Sequence, residues 1–85
     1  MTPGKLLRQL AANPHNVRFG DLIRVAEAVG FEFSHSNGSH RFFKHPIIRE
    51  SLNLQPDHGQ AKAYQVRQFI RLVRAYNLKV RGAHE

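Results

Sequence analysis

Eighty-five residues allow one small domain, and a domain of that size buries only about 60% of the surface its unfolded chain exposes, so its core is thin. The hydrophobic residues, 41% of the chain, suffice for such a core, while the absence of cysteine excludes disulfides, thiolate nucleophiles and thiolate metal sites. Thirteen Lys and Arg against six Asp and Glu give a formal charge of +7, which calls for an anionic partner, nucleic acid first, without specifying an activity.

The opening KLLRQLAANP is charged and interrupted, unlike an export signal. No apolar run approaches the roughly 18 residues that span a bilayer, so the expectation is a soluble, cytoplasmic protein with no membrane partner. Thr2 as N-cap and Pro3 at the first helical position start a short helix with Leu6, Leu7 and Leu10 on one face, and Asn13-Pro14 stops it. It reads as an appendage docked on the main domain. In FGDLIRVAEAVG, the residues Phe19, Leu22, Ile23, Ala26 and Val29 follow helical spacing with Arg24 and Glu27 on the wet side. Asp21 suits the positive end of the helix dipole, and Gly30 suits the left-handed position after the last turn.

The period then changes to two. Phe31, Phe33 and His35 alternate with Glu32, Ser34 and Ser36, Asn37-Gly38 signals a type I′ hairpin, and HRFFKH returns as a second strand ended by Pro46. A third strand, RESLNLQ, sets Leu52 and Leu54 opposite Ser51 and Asn53. After the polar connection PDHGQAK, the last helix presents Ala63, Val66, Phe69, Ile70, Val73 and Tyr76 on one face and the basic stripe Arg67, Arg71, Arg74 on the other. The tail KVRGAHE is expected to fray. The expected fold is therefore α+β, a double-stranded-RNA-binding-like α-β-β-β-α two-layer domain over residues 18–81, with a helical extension at 1–17 and a tail at 82–85.

The residues around the hairpin turn are the candidates for chemistry, although a histidine beside such a turn is more often a solvated or hydrogen-bonded side chain. RNA cleavage through the 2′-hydroxyl needs a proton acceptor, a proton donor and cations against the phosphorane, and histidine serves the first two near neutrality. His40, Arg41, Lys44 and His45 supply these types within six positions. On a strand, His40, Phe42 and Lys44 share one face while Arg41, Phe43 and His45 share the other, so the two histidines do not act as a simple pair on one phosphate. The same spacing argues against a metal site of His35, His40 and His45. Gly59, Gln60 and Lys62, read as the start of the last helix, offer exposed N–H groups to a phosphate, although a plain loop fits those letters equally. Phe42 and Phe43 suit base stacking, but at least one must be core.

GSHRFFKHP resembles the signature of HicA-type toxins, in which a Gly-Ser-His turn leads into a strand ending His-Pro. RVAEAVGFEF and LNLQPDHGQAKAYQVRQFIRLV extend the likeness over residues 18 to 78, whereas residues 1 to 17 and the third-strand text LNLQP depart from many members. The resemblance implies the same α-β-β-β-α fold and a metal-independent endoribonuclease, an mRNA interferase without cofactor, held in check by a HicB-type antitoxin. It maps the active histidine onto His40, with Gly38 and His45 as supporting or structural positions. Ser39, Arg41, Lys44, Gln60, Lys62, Arg67 and Arg71 are the expected RNA contacts. Two rivals stay open at this point: a non-catalytic RNA- or DNA-binding module, and a protein-binding module that meets an acidic partner.

Overall fold

The computed structural model describes residues 1–81. Helix α1, Pro3–Ala12, begins as the sequence dictates: the Thr2 hydroxyl accepts a hydrogen bond from the Lys5 N–H at 3.3 Å, and Pro3 occupies a position whose N–H has no helical partner. Its Leu6 and Leu10 belong to the same buried cluster as the rest of the molecule, so this helix completes the core as well as extending it. Helix α2, Phe19–Ala28, has Asp21 in its first turn and buries Phe19, Leu22, Val25 and Ala26. Gly30 follows with φ +108°, and the N–H of Phe31 reaches back to the Ala26 carbonyl.

Strands β1 (Glu32–Asn37), β2 (His40–His45) and β3 (Ile48–Leu54) form the expected antiparallel meander in the order β1-β2-β3. Helix α3, Ala63–Ala75, packs with α2 against one face of this sheet, where Phe43, Leu52 and Leu54 are buried. Phe31, in the link between α2 and β1, meets the Phe69 ring of α3 with centroids 6.1 Å apart, which ties that link to α3. The opposite face carries His35, Phe42, His40 and Asn53, all exposed or half-buried. The result is α+β, two layers, with one sheet face open to solvent.

Several expectations are corrected. The hairpin turn centres on Gly38-Ser39, since Asn37 still pairs with His40 across the strands. Only Gly38 takes a positive φ, +63°, as the first central residue of a II′ turn does, so glycine rather than the Asn-Gly pair sets the register. PDHGQAK is not a plain connection: Pro56–Asp57 (β4) and Gln60–Ala61 (β5) pair as a second hairpin. Its central His58 and Gly59 have φ +53° and +78°, the two positive angles of a I′ turn. Gln60 is therefore a strand residue bridged to Arg18, and Lys62 is the N-cap of α3.

On α3 the buried set includes Gln65 and Leu72, while Tyr76 is exposed. Tyr76 is the C-cap, and Asn77 at φ +52° turns the chain so that Leu78, not Tyr76, returns to the core. Residues 79–81 of the tail are held as well, with Val80 against the core and the Arg81 N–H donating to the Ala28 carbonyl at 2.8 Å. Residues 82–85 lie outside the described residues.

Candidate active site

Strand alternation divides the basic hairpin between two environments. On the helical side, Phe43 is buried, the Arg41 guanidinium sits 5.4 Å from the centroid of the Phe19 ring, and His45 packs edge-on against Phe31 at 5.0 Å. His45 uses both ring nitrogens. Its Nε2–H donates to the Val29 carbonyl at 2.9 Å, and its Nδ1 accepts from the Ile47 N–H at 3.3 Å. Gly30 makes this possible, because a Cβ there would stand 2.7 Å from that Nε2.

On the open side, His40 follows directly after the turn and is half-buried. Its Nδ1 lies 3.1 Å from Oδ1 of Asn53 on β3. An amide oxygen only accepts, so that contact puts the proton on Nδ1 and leaves Nε2 with a lone pair in the neutral ring. No hydrogen bond within the described residues occupies Nε2. An imidazole oriented at one nitrogen and open at the other is the arrangement a general base requires.

A polar chain borders the same spot. The Gln55 side chain donates to Ser39 Oγ at 2.8 Å and accepts from Lys62 Nζ at 3.1 Å, while the Gln55 N–H donates to the buried Gln65 side chain at 3.0 Å. The chain ties the turn before His40 to the start of α3. Sequence reasoning missed Asn53, Gln55 and Gln65 as site residues. Asn53 carried a signal, since it was placed on the wet face of the third strand; the other two are brought in only by tertiary pairing.

Other expected contacts lie elsewhere. By alternation along β2 the exposed Lys44, paired with Glu32, shares the open face with His40, but Arg41 is on the helical side, and Gln60 is held in β5. Arg67, Arg71 and Arg74 border a groove between α1 and α3 with Leu10, Pro14 and Ile70 on its floor. Arg71 is opposed by Glu50, with Nη2 3.4 Å from Oε2. Tyr76 donates to the other Glu50 oxygen at 3.1 Å, and this bond to a carboxylate, reinforced by its negative charge, raises the phenol above its usual pKa of 10.0. The structure thus separates the arginine stripe from His40. Among the described residues no three His, Asp or Glu side chains converge as a metal ligand set.

Residues 19–74, which carry the hairpin, third strand and closing helix, match the family described as HicA toxin of bacterial toxin-antitoxin. The chain belongs to the HicA toxin family. The match runs from the first residue of α2 to the last turn of α3 and leaves α1 outside it. Membership makes the chain a toxin of a toxin–antitoxin pair and implies an antitoxin partner. Neither the curated proteins nor the solved structures contain a significant match. No helix of the described residues is long and apolar enough to cross a membrane.

Proposed function

We propose that this HicA toxin is a cytoplasmic endoribonuclease that cleaves mRNA with His40 as its single catalytic histidine and without a metal. The observation that carries this reading is the His40 ring, fixed through Nδ1 by Asn53 and, among the described residues, open at Nε2 on a sheet face that no helix covers. In the reaction, Nε2 takes the proton of a ribose 2′-hydroxyl, and the oxygen attacks the adjacent phosphorus. The bond to the 5′ oxygen breaks, water protonates that oxygen, and a 2′,3′-cyclic phosphate remains. Lys44 on the same face and Lys62 beside the Ser39–Gln55 chain supply positive charge to the phosphate. Arg41, Arg67 and Arg71 serve longer-range attraction of the polyanion, because the fold sets them away from the His40 face, and the neutral Gln60 takes no part in it.

A HicB-type antitoxin neutralises the toxin by covering the open sheet face, and its acidic groups meet the basic surface. The test is degradation of messenger RNA by purified protein. Wild type is expected to cleave, His40→Ala to lose the activity while remaining folded, and the antitoxin to suppress the wild type. Equal cleavage by wild type and His40→Ala overturns the assignment. If RNA is bound with a steep salt dependence but never cut, the non-catalytic binding module replaces it.

A further inference from the structure

The open sheet face carries two aromatic rings, those of His35 and Phe42, that the cleavage chemistry does not use. His35 on β1 is paired with Phe42 on β2, and their rings stack with centroids 4.5 Å apart and planes within 6°. His40 extends the pair into a ladder on β2, its ring 6.5 Å from Phe42 and inclined by 26°. The Ser34 hydroxyl, 3.1 Å from His35 Nδ1, holds the outermost ring in place. β1 is an edge strand and His35 is exposed, so among the described residues no further strand covers this end of the ladder. These rings contribute nothing to the buried cluster, which lies on the other face.

We propose that His35 and Phe42 form a stacking platform for an unpaired nucleobase, and that the ligand of this face is single-stranded RNA. A nucleobase presents a flat π-face of the same kind as these rings, so stacking on them needs no particular sequence. The ladder ends at His40. The uncovered ring face is that of His35, two ring spacings from His40, so a base stacked there anchors the strand while a following nucleotide reaches the open Nε2. Lys44 stands on the same face and Lys62 lies beyond the turn, so the backbone of a stacked strand meets positive charge on both sides of the ladder. A duplex keeps its bases stacked on one another and offers the platform only sugar and phosphate. The double-stranded-RNA-binding-like order of elements thus does not decide the ligand; the side chains of the open face do.

The proposal rests on the ribonuclease reading for the nature of its ligand, and its test is built to fail separately. The probe is a short single-stranded oligonucleotide with 2′-O-methyl riboses, which cannot be cleaved, carrying one fluorescent 2-aminopurine base. The wild type is expected to bind it, quench its fluorescence, and bind the matching duplex more weakly. His35→Ala and Phe42→Leu are each expected to weaken binding roughly tenfold and to lose the quenching. With cleavable RNA the loss appears in KM more than in kcat. Binding that depends on both rings, without cleavage of any RNA, removes the ribonuclease reading and keeps the platform. Cleavage that needs His40, with affinity and KM unchanged in both ring variants, removes the platform and keeps the ribonuclease. Equal affinity for single strand and duplex also overturns the platform.

Discussion

His40 and His45 lie five residues apart on one strand, and the molecule treats them in opposite ways. His45 faces the helices, donates through Nε2 to Val29 and accepts through Nδ1 from Ile47, so its neutral ring is satisfied at both ends. His40 faces outward, donates through Nδ1 to Asn53, and keeps Nε2 open. The two rings are therefore held in opposite tautomers. Residue type does not separate the two histidines; the number of nitrogens already bonded within the fold does.

The contrast can be broken by substitution on either side of β2. The largest effect is expected for His40→Ala, with cleavage falling by roughly 10²–10⁴, the span of general acid–base catalysis, while urea unfolding shifts by about 1 kcal/mol or less. Next comes Phe43→Ala, which empties the buried side at a cost of roughly 3–5 kcal/mol. Phe42→Ala, on the half-buried side, should cost about 1 kcal/mol by the same measurement.

Gly30→Ala is expected to destabilise by roughly 1–3 kcal/mol, because φ +108° disfavours a side chain and the new Cβ meets His45 Nε2. In a His45→Ala background the same change should cost less, a non-additivity that a double-mutant cycle reads directly. Additive costs would show that the ring does not need the missing Cβ. Asn53→Ala frees the His40 tautomer and is expected to lower kcat about tenfold without loss of fold, measured by cleavage and by circular dichroism.

The smallest effect concerns the helical side. Tyr76 has its pKa raised by Glu50, so the native state holds that proton more tightly than the unfolded chain does. The resulting stability is present below pH 10 and is lost as the pH rises through the folded-state value. An alkaline melting series should therefore fall more steeply for wild type than for Tyr76→Phe, and parallel curves would argue against the contact.

Much of this architecture was legible in the chain. The spacing of Phe19, Leu22, Ala26 and Val29, the Thr2-Pro3 start, the glycine after α2 and the split of β2 into two faces all follow from local rules, and the structure carries each of them. Non-local pairing was not legible. DHGQ is a hairpin only because two-residue strands find each other and the backbone before α2, with the Ala61 N–H donating to Val17 and the Phe19 N–H to Gly59. Such short strands have no alternation to read. Arg71 meets Glu50, and Gln55 meets Ser39 and Lys62, across separations that no sequence period encodes. For the candidate site, the position of His40 was readable and its orienting partner was not, since Asn53 reaches it from another strand.

The most direct measurement is single-turnover cleavage of an oligonucleotide that is deoxyribose throughout except for one central ribose, with wild type and His40→Ala side by side. The expected result is a single cut at that ribose by the wild type, a 2′,3′-cyclic phosphate end on the product, and no cut by the variant. Cutting at deoxyribose linkages, or equal rates for the two proteins, contradicts an outward imidazole that draws its proton from the sugar.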